Sequence, residues 1–347
     1  MRSPNDMASA GTRIEAPYLI FLGSAHDQLA AKTGQGIVDW RPQNCIGQLR
    51  LPECQADLGL PDLSVAEAAA AGARTLVIGT VSPGGSLPEK WLPILHAALA
   101  NGLDIASGMH DRLDSFPEIR DAAARHDRRL VDVRHSTVRF PTGSGRKRSG
   151  RRLLTVGTDC SVGKKYAALA LEREMRSRGM DAEFRATGQT GILIAGSGVA
   201  IDAVTADFIS GAAECLTPDA ERGHWDVVEG QGSIFHPSFA GVSLGLLHGT
   251  QPDAVVVCHE PTRRTMRNVS TLMPRIGEVI EQTLVHGRTT NPDVVCIGVA
   301  VNTAALDEGE ARELLTNYAA QLGLPVTDPI RFGAGLLVDE LVKNFPD

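Results

Sequence analysis

The sequence lacks paired cysteines and long apolar stretches, and each absence excludes a class of protein. Its six cysteines are scattered and form no CxxC pair, which argues against a disulfide framework and against a structural zinc site. No apolar run approaches the roughly 20 residues that a membrane-spanning helix needs. The start of the chain, MRSPNDMASAGTRIEAP, is polar and lacks the apolar middle of a secretory signal. We therefore expect a cytoplasmic protein that has no membrane partner.

An overall excess of positive charge is missing as well. The net charge of −7 and the pI near 5.8 give no support for a nucleic-acid partner. One local exception runs from Arg134 to Arg152, with seven Lys or Arg residues and no acid. Within it we interpret residues 139–150, rich in Gly and Ser, as a basic linker between domains. The alternative is that cations of this stretch help to hold an anionic ligand bound nearby: Arg146, Lys147, Arg148, Arg151 and Arg152.

Apolar strand-like runs alternate with amphipathic helical stretches in two blocks, which predicts an α/β protein with parallel sheets and crossover helices. A chain of 347 residues is also read more naturally as two domains than as one. We place an amino-terminal domain at residues 1–138 and a doubly wound domain at residues 151–347. Residues 35–59 show no clear period. In doubly wound sheets ligands bind beyond the carboxyl ends of the strands, so the residues that follow each strand matter most.

A phosphate-binding loop is predicted where residues 157–165, GTDCSVGKK, join a strand to a helix. Its glycines allow close backbone approach, and the amino end of the helix adds partial positive charge. Lys164 can then reach a phosphate oxygen. Cys160 lies where a helix end can lower a thiol pKa, although filling the loop is the simpler role. The residues predicted to bind the phosphate-bearing ligand here are Gly157, Thr158, Asp159, Cys160, Ser161, Val162, Gly163, Lys164, Lys165 and Tyr166.

The loop departs from the common pattern GxxxxGK[ST] in two ways. Five residues separate its glycines, and Lys165 occupies the position where Ser or Thr would ligate magnesium. A hydroxyl at that position normally helps to hold the metal that neutralises a transferring phosphoryl group. The sequence therefore predicts phosphate binding without ordinary magnesium-dependent nucleotide hydrolysis.

Three candidates for a catalytic base follow buried strands of the second block. Glu229 comes directly after an apolar strand and precedes two glycines, and His236 extends the same loop. His259 follows the strand at 253–258. At such positions a carboxylate or imidazole can accept a proton, position water or, for the carboxylate, hold a metal. The sequence leaves the choice among the three open.

Other polar residues at strand ends are candidates for binding. The loop at 185–191 is rich in glycine and hydroxyl groups, and two arginines follow His259 and could bind a substrate carboxylate. Asn302 ends a long strand, where its amide could read a base edge or cap a turn. We predict Asn302 as a further cofactor contact. The residues predicted to contact a substrate are Arg185, Gln189, Thr190, Arg263 and Arg264.

The motifs resemble two related groups of proteins. GTDCSVGKK and VEGQGS resemble GTDxxVGKT and VEGAGG of dethiobiotin synthetase and its relatives. Over residues 154–302 a wider series resembles a bacterial P-loop family that includes the D-glutamate N-acetyltransferases, whose members carry an amino-terminal Rossmann-like domain. The series comprises GTDCSVGKKYAALALEREM, ATGQTG, IDAVTADFISGAAE, VEGQGSIFHPSFAGVSLGLLHG and CHEPTRR.

The second resemblance implies an N-acetyltransferase that moves acetyl from acetyl-CoA to the amino group of D-glutamate. Acetyl-CoA would be a co-substrate, and no tightly bound cofactor and no metal are expected. Acetyl transfer needs no phosphoryl chemistry, so Lys165 is no handicap to it. The loop would hold a phosphate group of coenzyme A through Lys164 and Lys165.

Two alternatives stay open from the sequence. An ATP-dependent ligase or kinase of the dethiobiotin synthetase type would bind Mg-ATP through Lys164, Asp159 and Glu229. A non-enzymatic nucleotide-binding accessory protein is the other. A homo-oligomer is compatible with the sequence but not required by it.

Overall fold

The computed structural model describes residues 12–80, 86–135 and 138–346. These residues form two compact units. One, the amino-terminal unit, contains residues of 12–138 together with 188–203, and the other, the P-loop unit, contains 139–187 and 204–346. The segment 188–203 thus packs with the amino-terminal unit although it comes later in the chain. Across the described ranges, no helix combines the length and apolar character needed to cross a membrane.

The strands and helices alternate through most of the described chain, as the sequence predicted. The strands are β1 (Thr12–Arg13), β2 (Tyr18–Gly23), β3 (Cys45–Arg50), β4 (Thr75–Ile78), β5 (Asp104–Ser107), β6 (Leu130–Asp132), β7 (Arg151–Gly157), β8 (Ala182–Arg185), β9 (Ser197–Gly198), β10 (Trp225–Val228), β11 (Ala254–His259), β12 (Val295–Val301) and β13 (Val326–Thr327). The α-helices are α1 (Lys32–Trp40), α2 (Val65–Ala70), α3 (Leu92–Ala100), α4 (Pro117–His126), α5 (Lys164–Ser177), α6 (Gln189–Ala195), α7 (Ile209–Leu216), α8 (Ala240–Thr250), α9 (Ile276–Gly287), α10 (Glu308–Leu322) and α11 (Gly335–Asn344).

The amino-terminal unit is built on a parallel five-stranded sheet in the order β3-β2-β4-β5-β6. Every residue of β2 is buried, which is typical of a parallel strand covered on both faces. The core on one side includes Phe21, Leu76, Trp91 and Leu95. The short strands β1 and β9 add an antiparallel pair, which fixes the segment 188–203 to the start of this unit.

Two elements of this unit, α1 and β3, lie in the stretch whose period was unclear. Helix α1 contains two glycines, which are poor helix formers, so its sequence carries a weak helical signal. Strand β3 carries the buried Gln48, whose side chain donates to Asp57 (2.9 Å) and accepts from the Leu58 amide (2.8 Å). Because this hydrogen-bonded glutamine interrupts the apolar run, the sequence pattern does not indicate a buried strand here.

The P-loop unit is built on a parallel six-stranded sheet in the order β13-β12-β11-β7-β10-β8. Strand β7 is central, and Gly157 at its end is level with Cys258 of β11. His259 pairs in turn with Val301 of β12. Because these strands run in one direction, the loop after β7 and the residues after β10, β11 and β12 meet at one edge of the sheet.

Helix boundaries in the later part of the chain follow local signals unevenly. The predicted start of α10 at Asp307 is confirmed, because Asp307 and Glu310 form a reciprocal capping box. The helix predicted over 200–214 is wrong in its first half, where two short 3-10 turns precede α7. The loop predicted after Arg185 contains helix α6, whose Ile192, Leu193 and Ile194 are all buried and so show no amphipathic period.

The basic stretch lies at the opposite edge of the sheet from the phosphate loop. Arg146 pairs with Asp219 (2.6 Å), and Lys147 pairs with Asp253 (2.6 Å). Arg148 is buried and bonds the Thr217 carbonyl and other oxygens, and burial lowers its pKa to about 10. The remaining two arginines, at the start of β7, bond main-chain carbonyls. Seven residues of strand, about 20 Å, separate this end of β7 from the loop, so these cations do not reach an anion bound there.

Candidate functional site

The predicted phosphate loop lies between β7 and α5, where its residues form a tight turn. Ser161 and Gly163 both have positive φ, at 55° and 103°, and Gly163 stands at the amino end of α5. The helix has 14 residues, and the amino end of such a helix directs backbone N–H groups and partial positive charge toward the loop. This geometry suits an anion such as a phosphate.

Lys164 places a buried positive charge at the centre of the loop. Its side chain is almost fully buried, and Nζ donates a 2.6 Å hydrogen bond to the Asp159 carbonyl. Burial lowers the pKa of Lys164, and the neighbouring Cys258, Cys160, Asp159 and Glu229 oppose that shift. Lys165 lies 4.4 Å from the centre of the Tyr166 ring and offers no hydroxyl to a metal.

The buried carboxylate of Asp159 ties the loop to the segment that follows β11. One oxygen, Oδ2, accepts from Arg263 Nη1 (2.8 Å) and from the backbone N–H of Arg267 (2.7 Å). Arg263 also pairs with Glu260 and donates to the Cys160 and Ser161 carbonyls. We call this set of contacts the loop clamp. Arg263, predicted for the substrate, has its guanidinium occupied here, and nothing in the sequence pattern pointed to Arg267.

His236 lies against the same carboxylate but has both ring nitrogens engaged. Nδ1 accepts from the Ser238 N–H (3.1 Å), so the hydrogen is assigned to Nε2, which donates to the Arg267 carbonyl (3.0 Å). Ligand atoms of Asp159, Cys160 and His236 lie within 4.8 Å of one another, as in a metal site. In this tautomer the one ring lone pair of His236, on Nδ1, already accepts from the Ser238 N–H, so it is not available to a metal. Its arrangement is that of a residue that braces the loop clamp.

Glu229 is held beside Lys164 by the loop that follows β8. Its carboxylate accepts from the Thr187 N–H (3.0 Å), and its carbonyl accepts from the Thr187 hydroxyl (2.6 Å). Gly230 allows this approach, because a Cβ there would lie only 1.6 Å from the Thr155 carbonyl oxygen. The result is a buried carboxylate at the inner side of the site.

His259 connects the phosphate loop to a surface cavity. Its Nδ1 lies 3.0 Å from the Thr158 hydroxyl, and its ring meets Tyr318 edge-on at 5.9 Å. Nε2 has no hydrogen-bond partner among the described residues, and the side chain lines a cavity of about 580 Å³, here called the His259 cavity. Burial lowers the pKa of His259 to about 4, so its imidazole is neutral near pH 7.

The remaining predicted site residues differ in where they lie and in how far their side chains are already engaged. Asn302 lies close to Gly163, with its side chain accepting from the Ala304 N–H as in a capped turn. Arg185 pairs with Asp226 (2.6 Å) and Glu183, which leaves it engaged within the sheet. Arg264 has an exposed side chain. Gln189 and Thr190 begin helix α6 and are therefore part of the amino-terminal unit.

The environment of the Cys160 thiol argues against the lowered pKa that a helix end could have produced. Burial raises its pKa, and the nearby cations only partly oppose this effect. The helix end therefore does not make Cys160 a reactive thiolate, and a loop-filling role agrees with its environment.

Comparisons with known proteins cover nearly the whole chain. Residues 139–338 match a P-loop domain of unknown function (DUF1611_C), and residues 50–136 match a Rossmann-like domain of unknown function (DUF1611_N). D-glutamate N-acetyltransferases from Pseudoalteromonas sp and Tritonibacter scottomollicae are both 50% identical to this chain, over 96% and 94% of it and 99% of each relative. The crystal structure of a DUF1611 family protein from Anabaena variabilis has a TM-score of 0.81 at 30% identity, over 94% of this chain and 99% of that one.

Proposed function

The chain belongs to the DUF1611 family, and we propose that it transfers acetyl from acetyl-CoA to the amino group of D-glutamate. The resemblance to this family and the fold class, a Rossmann-like domain followed by a P-loop domain, are confirmed. The observation that carries the proposal is the 50% identity to two D-glutamate N-acetyltransferases over nearly the full length of both.

The site supports acyl transfer better than phosphoryl transfer. The loop retains Lys164 and a helix amino end, which bind phosphate, while Lys165 replaces the hydroxyl that would hold magnesium. Acetyl-CoA carries phosphates that stay intact while its thioester reacts. A loop that holds phosphate without activating it therefore suits this donor.

We propose His259 as the proton acceptor in the reaction. Among the three candidates, His259 lines a cavity and has a ring nitrogen, Nε2, without a hydrogen-bond partner among the described residues, whereas both His236 nitrogens are engaged. Because the pKa of His259 is near 4, it is too weak to deprotonate a free ammonium group. After the neutral amine has attacked the thioester carbonyl, the C–S bond breaks, and His259 can pass the extra proton of the nitrogen to the departing sulfur, so that coenzyme A leaves as the free thiol. Glu229 remains the second candidate, through its place beside Lys164.

The proposal is tested by incubating the protein with acetyl-CoA and D-glutamate. We expect release of the free thiol of coenzyme A and formation of N-acetyl-D-glutamate, detected by a thiol reagent and by mass spectrometry. L-Glutamate and a reaction without amino acid serve as controls. Absence of thiol release above these controls contradicts the proposal.

Assays with ATP on the same protein distinguish this function from the two alternatives, a ligase or kinase and an accessory protein. A ligase or kinase would release ADP or phosphate from ATP in the presence of magnesium. An accessory protein would bind nucleotide and turn over neither ATP nor acetyl-CoA. We expect no release of ADP or phosphate, because no hydroxyl stands at position 165. We expect turnover of acetyl-CoA, which an accessory protein would not show.

A further inference from the structure

We infer that the His259 cavity receives the uncharged pantetheine arm of the acetyl donor and directs its thioester toward the His259 imidazole. This inference rests on the proposed function, and it specifies where the acetyl donor binds. The phosphate loop would hold the phosphorylated end, and the cavity would hold the acyl end.

The walls of the cavity suit an uncharged, partly apolar chain. Met273, Pro274 and Ile276 line one side, and Tyr318 and Leu322 of α10 line the other. The volume of about 580 Å³ lies within the roughly 300–1,000 Å³ that is usual for small-molecule sites. Apolar walls of this kind favour the methyl and methylene groups of a pantetheine arm.

The charges around the cavity disfavour the phosphate groups of the donor and the carboxylates of glutamate. Arg275 is already paired with Glu278 (2.6 Å), and Glu281 adds a second acid to the lining. The lining thus holds one cation and two anions, with a neutral His259. A phosphate or the two carboxylates of glutamate would be repelled there, whereas an amide-bearing neutral arm would not.

The cavity and the phosphate loop are linked through His259. Thr158 of the loop is hydrogen-bonded to His259 Nδ1 (3.0 Å), and the Thr158 N–H donates to the carbonyl of Cys258 (3.0 Å). His259 therefore contacts the loop through Thr158 and also lines the cavity, so a donor whose phosphates lie on the loop would bring its acyl end to the His259 side of the cavity. Gln321 and His259 offer polar groups to the amides of the arm, which would otherwise lose hydrogen bonds to water.

The test fills the cavity without touching the loop. Gln321 lines the cavity with an exposed side chain, so Gln321→Trp adds bulk there with little effect on folding. Asn317→Trp is the matched control, because Asn317 is exposed on the same helix and does not line the cavity. Calorimetric titration with acetylpantetheine and with adenosine 3′,5′-bisphosphate probes the two ends of the donor separately, and the melting temperature of each variant verifies folding.

We expect Gln321→Trp to weaken acetylpantetheine binding by about tenfold or more and to leave adenosine 3′,5′-bisphosphate binding unchanged. Asn317→Trp should change neither. Unchanged acetylpantetheine binding in Gln321→Trp, or loss of the bisphosphate instead, overturns the inference, as does absence of acetylpantetheine binding to the unaltered protein. Thiol release that persists in any of these cases leaves the proposed function standing. Cavity-dependent binding without transfer to D-glutamate removes the function and leaves the cavity assignment standing.

Discussion

The two parallel sheets of this protein end in different chemistry at their carboxyl edges. In the P-loop unit the strand ends carry buried ionisable groups, namely Asp159, Lys164, Glu229, His236 and His259. In the described part of the amino-terminal unit the buried charged side chain is Asp104, which lies at the amino end of β5 and pairs with Arg129. The two sheets share parallel strands but differ in strand order, and we infer that the P-loop unit carries the site while the amino-terminal unit acts as a scaffold.

Packing at the end of β2 shows how the amino-terminal unit differs. Trp91 is almost fully buried and meets Phe21 edge-on at 5.2 Å. A Cβ added at Gly23, the last residue of β2, would lie 2.4 Å from Trp91 Cζ2. An indole thus fills the space beyond this strand, whereas a loop with a lysine follows β7, the first strand of the other sheet in chain order. Similar folds do not by themselves predict similar sites.

The largest effect is expected from removal of the loop lysine. Lys164→Met should lower kcat/KM for acetyl-CoA by about a thousandfold, equivalent to about 4 kcal/mol, because a buried charge-assisted contact to phosphate is lost. The measurement is initial-rate thiol release, and Lys343→Met, an exposed lysine on α11, is the control. Wild-type kinetics in Lys164→Met would remove the loop from the site.

A second substitution tests whether the amino-terminal unit acts as a scaffold. Gly23→Ala should lower the free energy of unfolding by about 3 kcal/mol, because the methyl group meets Trp91 and the backbone has φ of 53°. Gly59→Ala has comparable φ, 71°, and nothing within 4 Å, so it should cost only about 1 kcal/mol. Denaturant unfolding measures both. A change in KM for either substrate at unchanged stability would contradict the scaffold assignment.

The third prediction concerns the loop clamp. Arg263→Ala leaves the buried Asp159 carboxylate short of a donor, so we expect a loosened loop and an approximately tenfold higher KM for acetyl-CoA, about 1.4 kcal/mol. The KM for D-glutamate should stay the same, because Arg263 acts here as a positioning residue. Initial-rate kinetics with each substrate varied in turn give the two values.

Arg264→Ala provides the matched comparison. Its side chain is exposed, and we expect changes within about twofold. A rise in the KM for D-glutamate in Arg264→Ala, with no effect of Arg263→Ala, would instead support the direct substrate contact that the sequence predicted for Arg264.

Features that depend on residues close together in the chain could be predicted from the sequence. The loop at 157–165 and the capping box at Asp307 are short patterns whose chemistry is readable in place. The convergence of strand ends follows from parallel pairing, so the positions of Glu229 and His259 were also predictable.

Contacts between distant segments were not predictable. Arg263 and Arg267 reach Asp159 across 104 and 108 residues, and Arg267 does so through a backbone N–H that any residue except proline offers. The sequence does not reveal helix α6, because its central residues are all buried and show no amphipathic period. It does not reveal the His259 cavity either, because helices α9 and α10, which are distant in sequence, both line it. The contacts of Arg263 with Asp159 and Glu260 argue against the substrate contact predicted for it, and the sequence does not show these contacts.

The smallest predicted effect concerns His224, an ionisable group that we expect to contribute to stability but not to catalysis. His224 lies at the amino edge of the P-loop sheet, where hydrogen bonds and charge from Asp226 and Asp181 raise its pKa to about 9. Because the folded-state pKa exceeds the unfolded value near 6.5, the stabilisation is fully present below about pH 6.5 and is lost as pH rises through about 9. The group is partly exposed, so solvent screening reduces the effect to about 1 kcal/mol.

His224→Gln should therefore abolish this part of the pH dependence of unfolding between about pH 6.5 and 9. Denaturant unfolding at several pH values measures it, with the exposed His26→Gln as control. The pH profile of acetyl transfer should be the same in both variants, since His224 lies a strand length away from the loop. A shifted activity profile in His224→Gln alone would show that charge at the amino edge reaches the site, and the distinction between the two edges of the sheet would fail.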